Sequence, residues 1–249
     1  MTLTEIATRP NKTVYKEGEL CYKVFAADYR KSDIFNEALN QTRVEETGLF
    51  VPKVHAIKRF DGGRLGIVMD HIEGKSLAKM IEENPEKKDE YILQLIDIQL
   101  SMHRLTAPEL NKQRAKFTRK IELSGLPEAT RYELQMRLDG MPKHKKLCHG
   151  DFNPSNVIIT EDGRACVIDW SHATIGNASA DTARTYLLFK LAGDDETAEF
   201  YLNNFCKKSG TALQYVQNWL PIVAASQMVK GKPQEREMLA KWTDVCQYN

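Results

Sequence analysis

Cysteine is scarce in this 249-residue chain, and its placement excludes more than its number. The five cysteines stand at positions 21, 148, 166, 206 and 246, an odd set with no Cys-x-x-Cys pair. That pattern argues against a disulfide scaffold and against a structural zinc site. Cys148 and Cys166 fall in apolar runs and read as small buried residues. Long hydrophobic runs are also missing: no window approaches about 18 consecutive apolar residues, so no membrane-spanning helix is expected. The opening MTLTEIATRP lacks a basic-then-apolar signal segment. Nor does charge of one sign dominate. Lys plus Arg number 35 against 34 Asp plus Glu, a formal net charge of +1. So balanced a chain sets up no broad field for nucleic acid or an anionic membrane, and neither partner is expected. The run Lys143-His144-Lys145-Lys146 reads as a solvated loop before a strand. Internal repeats and low-complexity segments are absent. What is left is 42% hydrophobic and 28% charged, an ordinary globular composition. The length suits one large domain or two small lobes. A reducing cytoplasm is the expected location.

The densest chemistry lies in KLCHGDFNPSNVIITEDGRACVIDWS, residues 146–171. Two apolar runs, Val157–Ile159 and Ala165–Ile168, flank Thr160-Glu161-Asp162-Gly163-Arg164. Asp-Gly between β-branched runs is a hairpin signal, because glycine accepts the positive φ of a tight turn. Asp151 and Asn156 lie on the loop leading in, and Asp169 ends the second strand. The hairpin would gather two carboxylates and a carboxamide at its open end. Such oxygens suit a hard divalent cation such as Mg²⁺, which is held by one or two carboxylates plus substrate phosphates. Asn156 and Asp169 are the candidate metal ligands, and Asp151 is left to accept a proton. The bland alternative is a hairpin whose Asp and Asn residues only cap turns. Turn chemistry gives no reason for the second aspartate after an apolar strand.

Asp151-x4-Asn156, followed by an aspartate closing the next strand, is the order of the protein-kinase catalytic loop and metal-binding aspartate. The details differ. His149-Gly150-Asp151 stands where His-Arg-Asp would be, and Asp169-Trp170 where Asp-Phe-Gly would be. HGDxxxxN followed by IDW resembles the aminoglycoside phosphotransferase and choline kinase family, small-molecule kinases with a protein-kinase-like fold. The resemblance implies ATP and Mg²⁺ as cofactors, with ATP in the cleft between two lobes.

Taken in order, residues 13–25 read as a hairpin, Thr13–Lys16 and Glu19–Phe25 around Glu17-Gly18. In the second strand Leu20, Tyr22 and Val24 share one face; Cys21, Lys23 and Phe25 share the other. Lys23 is thus a cation among apolar neighbours, as a kinase needs for the α- and β-phosphates of ATP. The turn before it, Arg9-Pro10-Asn11-Lys12-Thr13, carries no GxGxxG, so no residue of it is assigned to the site. Ser32 to Thr47 reads as a helix with Ser32 as N-cap and Ile34, Ala38 and Leu39 in its apolar stripe. Glu37, beside that stripe, is the partner that would hold Lys23. A second hairpin follows, Val54–Phe60 and Arg64–Met69 around Asp61-Gly62-Gly63. IVMDHIEGKSL resembles the family segment in which backbone groups, here from Met69 to Ile72, would meet the adenine edge.

Ser76 is placed to cap a short helix to Glu83, stopped by Asn84-Pro85. Asp89 to Leu105 is the strongest helix signal, with Ile92, Leu95, Ile96, Gln99, Met102 and His103 at helical spacing. His103 reads as a hydrogen-bonded structural histidine. Residues 106–145 suggest two weak amphipathic helices. Ser179 is the expected cap of a helix to Leu191. Asp181, in its first turn, is either a dipole-favoured surface residue or the aspartate that supports the catalytic loop in the resembling family, and it is left out of the catalytic set. Helices at about 195–207, 211–229 and 234–245 complete the chain, the middle one interrupted by Pro221.

The expected fold class is α+β, a bilobal protein-kinase-like fold. A small antiparallel-sheet lobe with one helix (1–70, nucleotide-binding) would precede a larger, mainly helical lobe (71–249, with catalytic loop and acceptor site). The expected function is ATP- and Mg-dependent transfer of the γ-phosphate to a hydroxyl of a small molecule. Asp151 would be catalytic; Lys23, Glu37, Met69 and Ile72 would bind nucleotide; Asn156 and Asp169 would bind metal. The acceptor is an aminoglycoside, choline, ethanolamine or a related amino alcohol. The nearest acidic cluster for an aminoglycoside is Asp194-Asp195-Glu196 with Glu199, as easily a solvated helix start. The aromatics for a choline cage are Phe189, Phe200, Tyr201, Phe205 and Trp219, as easily core. Two alternatives stand beside this reading. The missing glycine loop allows a nucleotide-binding pseudokinase that acts as a binding module. A protein kinase is opposed by HGD, IDW and the lack of an Ala-Pro-Glu segment. The sequence sets no oligomeric state.

Overall fold

The computed structural model describes residues 3–230 and 232–243. In chain order they form β1 (Thr4–Arg9), β2 (Lys12–Glu17), β3 (Leu20–Phe25), α1 (Lys31–Glu45), β4 (Val54–Arg59), β5 (Leu65–Asp70), β6 (Lys75–Ser76) and α2 (Leu77–Glu83). Next come α3 (Lys88–Met102), α4 (Gln113–Glu122), α5 (Glu128–Gly140), β7 (Lys146–Cys148), β8 (Val157–Ile159), β9 (Ala165–Val167) and β10 (Thr174–Gly176). Helices α6 (Ala178–Leu191), α7 (Asp195–Ser209), α8 (Leu213–Gln217), α9 (Leu220–Met228) and α10 (Arg236–Trp242) follow. The chain divides into two compact units. One is Met1–Glu83 with Pro154–His172, the other Asn84–Asn153 with Ala173–Asn249.

In the first unit the sheet runs β1-β2-β3-β5-β4, every neighbouring pair antiparallel. The alternation in β3 sorts its two faces. Tyr22 and Val24 pack with Val68 on one; Phe25 packs with Ile67 and with Ile34 and Ala38 of α1 on the other. Three details depart from expectation. Strand β1 was not anticipated: all six of its residues are exposed, so it carries no hydrophobic alternation. Residues 9–13 therefore belong to the turn and strand of a β1–β2 hairpin. Helix α1 starts one residue early, with Arg30 at its N-cap and no side-chain cap, and Ser32 lies inside it. Leu39 is 46% exposed, outside the core stripe. Further along, β6 pairs with β8 and β8 with β9. Gly74 makes that approach feasible: its φ is 152°, and a Cβ there would stand 2.3 Å from the carbonyl oxygen of Ile159.

In the second unit α3 buries Ile92, Leu95, Ile96, Gln99 and Met102. It packs on α7, where Tyr201, Leu202 and Phe205 are buried. The Tyr201 hydroxyl donates to the Gln99 side chain. Antiparallel β7 and β10 pair beneath α6. The cap of α6 is Asn177, whose side chain accepts the Ser179 N–H at 2.9 Å, so Ser179 is capped and not capping. Pro221 sits in the first turn of α9 and separates it from α8, as a proline without an N–H should. Asp194 caps α7, accepting from Thr197 N at 3.2 Å, and pairs with Lys88 at 2.8 Å. Asp195 and Glu199 both pair with Lys190 at 3.0 Å. The acidic run is thus a helix start in which Asp194, Asp195 and the following Glu199 are paired with lysines. Tyr201, Phe205 and Trp219 are core. The last expected helix ends in part among residues 244–249, which, with Cys246, lie outside the described residues. Among the described residues no helix is long and apolar enough to cross a membrane. Burial pushes the thiols of Cys21 and Cys166 up to about 11 and about 12, so neither is a thiolate at neutral pH.

Candidate functional site

Lys23 stands at the centre of β3, opposite Val14 on one side and Ile67 on the other. It is 7% exposed, as is Glu37 of α1. The Lys23 ammonium donates to the Glu37 carboxylate and, at 3.0 Å, to Asp169 Oδ1. Alone, burial would discharge Lys23, but Glu37 and then Asp169 outweigh it and hold the ammonium protonated beyond the ordinary lysine range. Asp169 is approached by a second cation: Lys12 Nζ lies 3.1 Å from its Oδ2. Burial works against ionising Asp169, yet Lys23 and Lys12 keep its carboxyl well below the usual range. Burial, followed by the charge on Lys23, lowers the pKa of Lys12.

The backbone at Asp169 is held in an uncommon state. Its φ is 62°, and no other non-glycine residue among the described ones has a positive φ. Aspartate tolerates the left-handed region better than most residues, at a cost of order 1 kcal/mol or more. The next residue anchors it: Trp170 is fully buried and donates Nε1–H to the Val167 carbonyl at 2.9 Å. On the other strand of that open end, the buried Asn156 accepts the Ile168 N–H on its backbone carbonyl at 2.9 Å. Val157 pairs with Val167, so Asn156 and Asp169 flank the same end of the β8–β9 pair. Met69 lies in β5 and packs against the Phe25 cluster. Ile72 follows that strand, just after His71 donates its N–H to Glu19 O at 2.7 Å.

Asp151 belongs to the second unit. Gly150 before it has φ 79°, which explains glycine there in place of a larger residue. The loop is braced from α6. Asp181, 1% exposed, accepts the Gly150 N–H at 2.7 Å and the His149 N–H at 3.1 Å. Its Oδ2 also lies 3.1 Å from His103 Nε2. Burial alone would raise the Asp181 carboxyl, but His103, His149 and the Gly150 N–H outweigh it and lower it. Asp181 is therefore no surface residue; it holds the backbone that carries Asp151. His103, Cys148 and Asp181 have ligand atoms within 4.8 Å of one another, yet the Asp181 oxygens are spent on the hydrogen bonds just described. On the same helix, one turn on, Arg184 Nη2 donates to Asp151 Oδ1 at 3.2 Å.

Of the residues singled out in the sequence, Lys23, Glu37 and Asp169 share one ion network, with Asn156 at the same hairpin end as Asp169. Met69 and Ile72 are in the same unit, and Asp151 is in the other. Two site residues, Lys12 and Arg184, escaped the sequence reading, and a third, Asp181, was left between a surface role and support of the catalytic loop. Lys12 pairs across from Phe25, two positions from Val14, so it shares the face of Lys23; only the strand register reveals this. Asp181 was signalled by its setting in Ala178-Ser179-Ala180, small residues suited to burial. Arg184 follows from Asp181 by helical spacing of three.

A family model described as "Phosphotransferase enzyme family" matches residues 10–217. No curated protein matches the sequence. Among solved structures, the chain resembles a thermostable mutant of aminoglycoside phosphotransferase APH(4)-Ia in ternary complex with ADP and hygromycin B. The TM-score is 0.69 at 15% identity, covering 97% of this chain and 90% of that one. LicA in complex with AMP matches with TM-score 0.66 at 16% identity, covering 100% and 92%. A choline/ethanolamine kinase family protein from Mesorhizobium loti matches with TM-score 0.59 at 15% identity, covering 100% and 87%. These likenesses bear out the expected kinase-like α+β fold. With the family match spanning most of its length, the chain belongs to the phosphotransferase enzyme family.

Proposed function

We propose that this phosphotransferase moves the γ-phosphate of ATP to a hydroxyl group of a small molecule, with Mg²⁺ as cofactor. The observation that carries the reading is the buried network of Lys23, Glu37 and Asp169. A lysine fixed by a glutamate and aimed at a carboxylate is what charge neutralisation of a nucleotide triphosphate needs. Solved relatives of the same fold, bound to ADP or AMP by their descriptions, support the choice of nucleotide.

The residues divide the work. Lys23, oriented by Glu37, binds the α- and β-phosphates, and backbone groups from Met69 to Ile72 meet the base. Asp169 and Asn156 are the residues that would hold magnesium. They fit: an ionised carboxylate and a carboxamide are hard oxygen donors, and Mg²⁺ completes its shell with water and phosphate oxygens. Magnesium supplies neutralisation of phosphate charge when bound. Lys12 and Lys23 now occupy the Asp169 oxygens, so they keep that carboxylate ionised until it is used. Asp151, steadied by Arg184 and by the loop that Asp181 braces, aligns the acceptor hydroxyl and takes its proton. Little covalent work falls to the protein, and positioning carries the rate.

The test is a pair of melting curves. ATP with Mg²⁺ at about 100 times its Kd should stabilise the fold by about 2.7 kcal/mol, roughly 2–4 °C for a chain of this size. A curve unmoved by magnesium and ATP together would overturn the nucleotide reading.

A further inference from the structure

The surroundings of Asp151 are more basic than an amine-bearing acceptor would want. Arg184 spends Nη2 on Asp151. Its other terminal nitrogen, Nη1, is buried with no acceptor among the described residues. A buried donor of this kind is costly unless something arrives to accept from it. Lys116 and Lys120 lie on successive turns of α4. That helix packs on α9, and α9 packs on α6, which carries Arg184. Lys230 follows directly on α9. Lys116 feels these charges. Burial first, then Lys230, Arg184 and Lys120, push its pKa down to about 7, with Asp181 the opposing carboxylate. Lys120 is lowered too, by burial and then by Arg119 and Arg184. Arg184, Lys120 and Lys230 thus add positive charge around Lys116, with Asp181 opposing them and Asp151 paired to Arg184. At the start of α7, by contrast, Asp194, Asp195 and Glu199 are paired with Lys88 and Lys190.

We propose that the acceptor is an anion, a hydroxyl compound whose carboxylate or phosphate is held by Arg184, Lys116 and Lys120 beside Asp151. This deepens the kinase reading and rests on it. Guanidinium and ammonium groups are the usual partners of such anions. A polyamine or a quaternary amine would meet like charge at every one of these side chains.

The full chain is melted without nucleotide against glycerate, glycerol 3-phosphate, glycerol, choline and kanamycin. The same five compounds are then offered with ATP and Mg²⁺, and ADP release is followed. The two anions should raise the Tm and the other three should not. The preferred anion separates carboxylate from phosphate. Lys120→Gln, at a half-buried position, should weaken anion binding about tenfold and leave the ATP·Mg²⁺ shift as in the parent, and Lys120→Arg should restore it. Stabilisation by choline or kanamycin above the anions overturns the proposal. So does the absence of any anion shift, or a Lys120→Gln effect on ATP in place of the anion. Loss of the ATP·Mg²⁺ shift alone would instead break the kinase reading, because the anion arm uses no nucleotide.

Discussion

The two aspartates of the HGD and IDW segments live in opposite circumstances. Asp169 is pinned from both sides by Lys12 and Lys23, with Glu37 behind, and its backbone is forced to a positive φ. Asp151 pairs with Arg184, and its side chain is 34% exposed. The first carboxylate is a fixed charge in a crowded ion network. The second sits at the tip of a loop whose rigidity is borrowed from a buried residue, Asp181. A group that must hold a charged ligand gains from being fixed and permanently ionised. A group that must meet a substrate hydroxyl gains from an open side and a stiff backbone. The sharpest way to break this contrast is Asp151→Asn. It should lower turnover by roughly 10²–10⁴-fold while the ATP·Mg²⁺ melting shift stays near that of the parent. Turnover within a few-fold of the parent in an ADP-release assay would remove Asp151 from the chemistry.

The next largest effect separates support from chemistry. Asp181→Ala strips the acceptor from the buried His149 N–H and His103 Nε2 and from the partly buried Gly150 N–H. Leaving such groups unpaired should cost about 3–5 kcal/mol of stability, read as a fall in denaturant midpoint. Asp181→Asn, which keeps one accepting oxygen, should lose less. The sign with pH is fixed by the lowered carboxyl of Asp181. Its contribution is fully present above the unfolded pKa of about 3.9 and is lost as pH falls below it. The parent should therefore lose stability in acid more steeply than Asp181→Asn. Parallel acid curves would show that Asp181 is not held ionised by its neighbours.

How much of this was legible in the sequence follows from the kind of signal each residue leaves. Alternation in β3 exposed Lys23 as a charge on a buried face, and helical spacing put Glu37 beside Ile34. The Asp-Gly turn placed β8 and β9 correctly, with Asn156 and Asp169 at their open end. What escaped depended on pairing across the chain. Strand β1 is exposed along its whole length, so nothing apolar marked it, and without it Lys12 looked like a loop residue. The segment 154–172 packs with the first 83 residues, a long-range association that local patterns do not encode. Asp181 stood between a dipole-favoured helix start and the loop-supporting aspartate that the family resemblance implies; the bonds from His149 and Gly150 decide for the second.

The smallest effect concerns Lys12, the residue that makes Asp169 unlike Asp151. Its side chain is 22% exposed and that of Asp169 26%, so the pair is screened by solvent and Lys12→Ala should change stability by less than about 1 kcal/mol at neutral pH. The acid limb is more discriminating. Lys23 and Lys12 together hold the Asp169 carboxyl down, which makes its ionised form a source of stability above about pH 4 that disappears as the carboxyl is protonated. With Lys12 gone, Lys23 alone opposes burial, the carboxyl moves back toward its ordinary value, and less stability remains to be lost. Melting curves followed from about pH 7 to the acid limit should therefore hold a steady gap down to the folded-state carboxyl of Asp169 in Lys12→Ala, below about pH 4, and converge for parent and Lys12→Ala only beneath it. A constant gap across that range would mean that Lys12 contributes packing of its aliphatic stem and no charge coupling, and the contrast between the two aspartates would then rest on Lys23 alone.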